Sequence, residues 1–302
     1  MTWQAEALRW FSRHVMRPSL ARERTPEAAR AHFDLNARRL FRPPPLSLMQ
    51  QGSVGGVPGL WVSNRPHVEG AILYFHGGAY ILGSSRSHAP MLAEIARRTG
   101  LRAFLPDYRL APEHPFPAAF DDALAAWQGL LAQGYAANRI LLGGDSAGGG
   151  LALALLSQLC RAGTPPAGVF AFSPWTDLTF SGASLVTNAS RDQLLPAHRL
   201  TAVRTEILGG ARPGDADDPR LSPLHAAFPG APPVMIHAAE TEILRDDALR
   251  MRGRLPHAEI RIAGDLPHAW PILHNWLPEA RATLDQTGRF ILGCLPAASD
   301  ES

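Results

Sequence analysis

The stretch 139–157, RILLGGDSAGGGLALALLS, predicts a strand, a sharp turn and a helix in immediate succession. The apolar run 140–142 precedes two glycines, and an Ala/Leu-rich segment at helical spacing follows three more. Between them, residues 144–148 (GDSAG) fit the pattern G-x-S-x-G, in which a serine occupies a strained strand-to-helix turn. Glycines let the chain pass close to such a turn. We therefore expect the Ser146 hydroxyl at the carboxyl end of a sheet, beside the N–H groups that open the next helix.

Length and composition limit the class of protein. The chain has 302 residues, of which 46% are hydrophobic, so it can form one large α/β domain with a lid or two small domains. Its formal net charge is +2, its basic residues are all Arg, and no basic run is interleaved with aromatic residues. This distribution does not favour a nucleic-acid partner.

The cysteines and the N-terminal segment bear on the compartment. Cys160 and Cys294 match no CxxC spacing, which favours free thiols in a reducing compartment over a disulfide framework. The N-terminal segment lacks a long apolar core and a small-residue cleavage site, and no segment approaches the ~18 apolar residues of a membrane span. We therefore expect a cytoplasmic chain without an integral membrane segment.

Residues 1–45 are predicted to form helices that end at a Pro-rich break. Apolar residues recur at helical spacing from Trp3 to Val15, and a second helix is expected to begin at Thr25, a good N-cap, followed by Pro26. We interpret this segment as N-terminal cap helices, which are either a structural cover or a lid over an active site, and one segment can be both.

Strands alternate with helices through the middle and end of the chain, which predicts a mostly parallel sheet covered on both faces. Residues 178–228 show no strand pattern and are rich in Asp, Pro and Arg, so we interpret them as an insertion. The catalytic domain then consists of 46–177 and 229–302. Besides the strand and helix of 139–157, the predicted strands are 46–52, 57–63, 71–75, 102–105, 169–173, 233–237 and 258–262, and the helices between them include 88–99 and 118–133.

A serine at neutral pH needs a base within hydrogen-bond reach and an anion that orients the base. Among the 12 histidines, His268 lies in a loop, GDLPHAW, immediately after the last predicted strand, at the same sheet edge as Ser146. We predict His268 as the base. His257 and His274 are its rivals, and His274 is expected on the following helix, pointing elsewhere.

Four carboxylates follow the strand that ends at His237, and each could orient the base. Asp246 and Asp247 stand where the next helix is expected to begin, so capping and the helix dipole suffice to explain them. Glu240 is near enough to the strand to remain tied to it. Glu242 lies in mid-loop, free to reach the imidazole, and we predict it as the acid, with Glu240 and Asp246 as alternatives.

The oxyanion formed during acyl transfer needs N–H donors. Ala147 directly follows the candidate nucleophile and supplies one. Residues 76–79 (HGGA) end a predicted strand, and their glycines allow backbone amides to turn inward. This short sequence is a weak signal alone, but it is a strong one when it lies one strand–helix–strand unit ahead of a G-x-S-x-G turn.

Together these segments resemble the bacterial hormone-sensitive-lipase-like esterases over about residues 60–270. The motifs that carry the resemblance are HGGAY at 76–80, DYRLAPE at 107–113, GDSAGG at 144–149, LRD at 244–246 and PHAW at 267–270. The resemblance implies an α/β-hydrolase fold with an eight-stranded sheet and a helical cap. It also implies carboxylesterase activity on short acyl esters, and it makes a homodimer a further expectation. Acyl transfer by a serine requires no metal or organic cofactor, and the sequence has no HExxH or comparable ligand spacing.

The resemblance also assigns roles to individual residues. These roles are the nucleophile Ser146, the base His268 and the oxyanion donors Gly77, Gly78 and Ala147. The family's acid motif, D-P-L-x-D, falls on residues 242–246, so the acid position carries Glu242 where Asp is commoner. Ala79 replaces the third glycine of the family's HGGG, outside the two glycines expected to donate.

Two alternatives stand beside a short-acyl carboxylesterase. An amidase, a lactonase or a deacetylase would use the same scaffold, since the lid and not the triad selects the substrate. A non-catalytic protein that keeps the pocket for a small ligand tends to lose the base, whereas His268 is present here in the expected context.

Overall fold

The computed structural model describes residues 2–22, 25–210 and 213–296, except the side chains of 213 and 214. The end of the predicted catalytic segment 229–302, residues 297–302, lies outside the described residues.

One sheet of eight strands forms the centre of the fold. The strands are β1 Leu48–Val54, β2 Val57–Ser63, β3 Ala71–Phe75, β4 Arg102–Pro106, β5 Ile140–Asp145, β6 Gly168–Phe172, β7 Val234–Ala239 and β8 Glu259–Ala263. Their order across the sheet is β1-β2-β4-β3-β5-β6-β7-β8, with β2 antiparallel to β1 and β4 and the other neighbours parallel. The predicted α/β class with a mostly parallel sheet is confirmed.

Helices cover both faces of the sheet. They are α1 Trp3–Phe11, α2 Arg17–Ala21, α3 Pro26–Leu40, α4 Ser85–Thr99, α5 Ala118–Ala132, α6 Ser146–Arg161, α7 Ser184–Thr187, α8 Leu200–Leu208, α9 Arg245–Arg250 and α10 Pro278–Cys294. A π-helical turn, Ser12–Met16, joins α1 to α2. No helix within the described ranges is both long and apolar enough to cross a membrane.

The central strands are buried on both faces, which explains their uninterrupted apolar sequences. In β3, Leu73 and Phe75 pack with α5 and α6, whereas Ile72 and Tyr74 pack with α4 and α10. All four side chains are fully buried, and each burial of this size stabilises the fold by about 1.5–3 kcal/mol.

The N-terminal helices pack on the loop that follows β8. Ala5, Ala37 and Phe41 share one buried cluster with Trp270 and Leu273. The expected N-cap is present, since Thr25 Oγ1 accepts a hydrogen bond from the backbone N–H of Ala28 at 3.3 Å. This packing places the N-terminal segment beside the carboxyl edge of the sheet.

Several boundaries differ from the sequence predictions. Helix α4 begins at Ser85 and not at 88, because the hydroxyls of Ser84 and Ser87 each accept the other residue's backbone N–H and cap the helix earlier. The described residues of 178–228 contain α7, α8 and short turns but no strand, as expected. Both cysteines are free thiols, and Cys160 is buried on α6.

Candidate active site

Ser146 occupies the sharp turn between β5 and α6. Its φ is +53°, a left-handed conformation that costs a non-glycine residue free energy and that the surrounding structure must stabilise. A Cβ on Gly144 would lie 2.2 Å from the carbonyl oxygen of Gly148, so only glycine permits this close approach. Ser146 is partly exposed, whereas its neighbours on both sides are buried. The turn therefore presents one hydroxyl to the space above the sheet.

His268 and Glu242 lie within hydrogen-bond distance of each other. His268 Nδ1–H donates to Glu242 Oε2 at 2.8 Å, and both side chains are buried. Glu242 is in the loop after β7 and His268 is in the loop after β8, so two neighbouring parallel strands end at this pair. His268 Nε2 is buried and has no hydrogen-bond partner in the described part of the chain. Ser146 and His268 line the same cavity.

The surroundings of His268 set its basicity. Burial alone lowers the pKa of the imidazole, because it disfavours the charged form. The charge and the hydrogen bond of Glu242, with smaller contributions from Asp192 and Asp145, outweigh burial and raise the pKa above its ordinary value. Glu242 therefore stabilises the protonated, positively charged form of the His268 imidazole.

The alternative acids have other partners. Glu240 Oε1 accepts from Arg245 at 2.8 Å, and Asp246 accepts from the backbone N–H of Ser184 at 2.9 Å. Asp247 is buried and accepts from the backbone N–H groups of Thr176 and Asp177. Both residues lie in the first turn of α9, as expected, but no side chain caps this helix, so the capping part of the expectation is wrong. Asp247 instead binds the segment directly after β6, and Asp246 binds the start of α7.

The rival histidines also lie apart from the cavity. His274 is buried and within hydrogen-bond distance of the carbonyl oxygens of Ile272 and Arg42. His257 is exposed in the turn before β8. Neither lines the cavity that Ser146 and His268 share.

The loop after β3 does not use Gly77 as expected. The backbone N–H of Gly77 donates to Asp145 Oδ1 at 3.0 Å, so it is already bonded and cannot serve freely as an oxyanion donor. The approach is close enough that a Cβ on Gly77 would lie 2.2 Å from Asp145 Oδ2. The N–H groups of Gly78 and Ala79 have no acceptor among the described residues, and both residues line the cavity. The first turn of α6 also leaves the N–H of Ala147 without a partner inside the helix.

A buried polar network holds this loop against the turn at Ser146. Asp145 Oδ1 also accepts the hydroxyl of Tyr74 at 2.9 Å, and Oδ2 lies 3.3 Å from His88 Nε2. Tyr108 donates its hydroxyl to the carbonyl oxygen of His76 at 2.6 Å and stacks on the His76 ring. Burial, with a contribution from the neighbouring His88, lowers the pKa of His76 below its ordinary value, so this ring is neutral near neutral pH. The segment after β4 thus supports the loop.

Arg30 of α3 ties the N-terminal helices to the same region. Its guanidinium donates to the carbonyl oxygens of Ile81 and Ala111 and to both carboxylate oxygens of Glu113. Hydrogen bonding to Arg30 lowers the pKa of Glu113 to about 2. Glu113 therefore keeps its charge at neutral pH and holds the arginine in place.

Three residues that the sequence analysis did not single out surround Glu242. Ser173 donates its hydroxyl to Glu242 Oε1 at 2.7 Å, and Asn188 Nδ2 donates to the carbonyl oxygen of Glu242 at 2.8 Å. Asp192 Oδ2 accepts the backbone N–H of Ile243 at 2.8 Å. Ser173 could have been noticed as the first polar residue after an apolar strand, whereas Asn188 and Asp192 belong to no motif.

A cavity of about 300 Å³ lies above Ser146 and His268. Its walls come from the N-terminal helices, the segment 194–206 and the loop 267–273. Most of the lining is apolar, including Met16, Phe33, Leu194, Val203 and Ile272. No cluster of His, Cys, Asp or Glu suited to a metal ion occurs in the parts of the chain that the structure describes.

Comparisons with known proteins agree with this geometry. The sequence pattern of a family with the alpha/beta hydrolase fold matches residues 72–270. An acetyl-hydrolase of Streptomyces hygroscopicus is 37% identical over 244 residues, or 79% of this chain and 81% of that protein. An esterase of Acinetobacter venetianus is 34% identical over 258 residues, or 83% of this chain and 84% of that protein. A crystal structure of an esterase from the bacterial hormone-sensitive lipase family has a TM-score of 0.91 at 33% identity, covering 98% of this chain and 99% of that one.

Proposed function

Because the chain belongs to the hormone-sensitive-lipase-like carboxylesterases of the α/β hydrolase fold, we propose that Ser146, His268 and Glu242 form a catalytic triad for short-chain acyl esters. Its relatives are esterases and acetyl-hydrolases, and the chain is a carboxylic ester hydrolase. The observation that carries the proposed triad is the 2.8 Å bond from His268 Nδ1–H to Glu242 Oε2. It leaves His268 Nε2 as the nitrogen available to a substrate or to Ser146.

The reaction proceeds by two acyl transfers. His268 Nε2 takes the Ser146 proton as Oγ forms a bond to the ester carbonyl carbon, and the carbonyl oxygen becomes an oxyanion. The tetrahedral intermediate then breaks its bond to the alcohol oxygen, which receives the proton from Nε2. Water repeats both steps on the acyl-enzyme and releases the acid. Glu242 keeps the proton of the neutral ring on Nδ1 and stabilises the imidazolium that forms.

The oxyanion is bound by the N–H groups of Gly78, Ala79 and Ala147 in this proposal. Ala79 takes the place that the sequence analysis gave to Gly77, since the Gly77 N–H is bonded to Asp145. The opening of α6 adds its positive dipole end to the same position. Loss of one donor in such a site costs about 10²–10³ in kcat.

In this proposal the described residues of 1–45 and 178–228 form the cap over the site, and those of 46–177 and 229–302 form the catalytic domain. Two facts favour small esters as substrates: the cavity of about 300 Å³ lies at the small end of the usual range for ligand pockets, and one relative is an acetyl-hydrolase. A homodimer and a cytoplasmic location stay predictions.

Replacement of the nucleophile tests the proposal. Ser146→Ala should abolish turnover of p-nitrophenyl acetate and butyrate. Ser157→Ala, on the same helix but bonded to the carbonyl oxygen of Ala227, should retain turnover. Glu242→Gln should lose far more rate than Glu240→Gln. Substantial turnover by Ser146→Ala, or the reverse order of the two Gln variants, would refute the corresponding assignment.

A further inference from the structure

Ser173 lies between Glu242, the acid of the proposed triad, and the loop that carries its base, His268. It directly follows β6 and its side chain is fully buried. Its φ is +48°, a left-handed conformation that costs a serine free energy. Its backbone N–H donates to the carbonyl oxygen of His237 at 2.6 Å, which fixes the residue to the neighbouring strand β7. The residue is therefore held in a costly conformation at the carboxyl edge of the sheet.

The Ser173 hydroxyl makes two hydrogen bonds at once. It donates to Glu242 Oε1 at 2.7 Å and accepts the backbone N–H of Ala269, the residue after His268, at 3.1 Å. A hydroxyl is suited to this place, because it can donate and accept simultaneously. One side chain thus links the carboxylate to the loop that carries the base.

Glu242 needs such a partner more than a shorter acid would. Glutamate has one more rotatable side-chain bond than aspartate, so more freedom must be removed before the carboxylate faces the imidazole. Ser173 and the backbone N–H of Ala239, at 2.7 Å, both bind Oε1. Oε2 is then left to His268 Nδ1. One carboxylate oxygen is thus fixed by two hydrogen bonds, and the other is the oxygen that bonds to the base.

We propose that Ser173 is a positioning residue, which sets the Glu242 carboxylate and the His268 loop in one geometry for proton transfer. The inference rests on the proposed triad and extends it by a fourth side chain. Ser173 is fully buried and does not line the cavity above Ser146 and His268. It acts through the orientation of Glu242.

The first test separates the hydroxyl from the volume and strain of the side chain. Thr and Val have nearly the same shape and suffer similarly at a positive φ, but only Thr retains the hydroxyl. Ser173→Thr should exceed Ser173→Val in kcat by about 10-fold or more, with KM differing by less than about 3-fold, because a hydrogen bond to a charged group is at stake. Equal kcat values for the folded Thr and Val variants would overturn the proposal.

Ser222 provides a matched control. Its hydroxyl is also fully buried, donating to the carbonyl oxygen of Ala216 at 2.6 Å and accepting the backbone N–H of Leu178 at 2.8 Å. Ser222→Ala should lower the melting temperature and leave kcat within about 3-fold, whereas Ser173→Ala should lower kcat by about 10–10²-fold. An equal loss of kcat in the two variants would mean that Ser173 has only a structural role.

A double-mutant cycle tests whether Ser173 acts through Glu242. Glu242→Asp draws the carboxylate back by one methylene, away from the Ser173 hydroxyl. If the proposal is right, Ser173→Ala costs much less in the Glu242→Asp background than in the wild type, so the two losses are not additive. Additive losses would overturn it. Failure of the triad has a different signature, since Ser146→Ala would then retain turnover whatever happens at Ser173.

Discussion

The backbone N–H of Gly77 donates to Asp145 Oδ1 across 3.0 Å, and this bond joins the loop after β3 to the turn that carries Ser146. The Asp145 carboxylate is buried, and burial alone would raise its pKa. The charge and hydrogen bond of His88 and the hydroxyl of Tyr74 outweigh burial and lower the pKa, so the carboxylate is ionised. The Asp145 carboxylate thus holds the loop after β3 against the turn at Ser146.

Removing the negative charge of Asp145 should slow catalysis. We expect Asp145→Asn to lower kcat by about 10–10²-fold, because a charge-assisted bond to Gly77 becomes a weaker neutral one and the loop loses its position. Tyr74→Phe removes one other donor to the same oxygen and leaves Gly77 bonded, so its kcat should fall by less than about 5-fold. Steady-state kinetics with p-nitrophenyl acetate compare the two. Wild-type kcat in Asp145→Asn would contradict the anchoring role.

The pH profile should report the raised pKa of His268. The imidazole must be neutral to accept the Ser146 proton, so activity falls when the pH drops below its pKa. Because Glu242 raises that pKa above the ordinary 6.5, the acidic limb of kcat/KM should have its midpoint above 6.5. The profile is measured with a substrate whose leaving group does not titrate in this range. A midpoint below 6.5 would show that burial dominates over Glu242.

Asp247 should make stability depend on pH. Burial raises its pKa to about 8 in the folded protein, against an ordinary value of about 3.9, so folding takes up a proton between these values. The free energy of unfolding should therefore fall as the pH rises through this window, and the Asp247 contribution should level off above about pH 8.

Asp247→Asn removes this titration. Its gain in the free energy of unfolding over the wild type should grow from about pH 5 to about pH 8, as denaturant unfolding would measure. Asp246→Asn is the control, because it changes the neighbouring carboxylate of the same helix, which bonds to Arg245. A difference between Asp247→Asn and the wild type that does not change with pH would contradict a protonated Asp247.

The parts of the fold that could be predicted from the sequence are those whose pattern lies within one short stretch of the chain. The β5–α6 turn was visible because apolar run, glycines and helix pattern follow one another within one stretch. The positions of His268 and Glu242 followed from the strands that precede them, since parallel strands end at one edge. The hydrogen bond between their side chains forms only when the two loops meet in the folded chain.

The details that escaped prediction depend on contacts between distant residues. Gly77 and Asp145 are 68 positions apart, and nothing near Gly77 shows that its N–H is already bonded. The local sequence places Asp247 at the start of a helix and therefore predicts a capping role. Its hydrogen-bond partners, Thr176 and Asp177, lie about 70 positions earlier and give no local signal. Ser173 is likewise 69 positions from Glu242, and the pairing of β6 with β7 brings the two side chains into hydrogen-bond distance.

Covalent labelling of Ser146 is the most direct measurement of the proposed chemistry. A fluorophosphonate probe, followed by peptide mass spectrometry, should place a single adduct on the peptide that contains Ser146. Labelling should be absent in Ser146→Ala and much slower in His268→Ala, since the base activates the hydroxyl. An adduct on another residue, or equal labelling of Ser146→Ala and the wild type, would contradict Ser146 as the nucleophile.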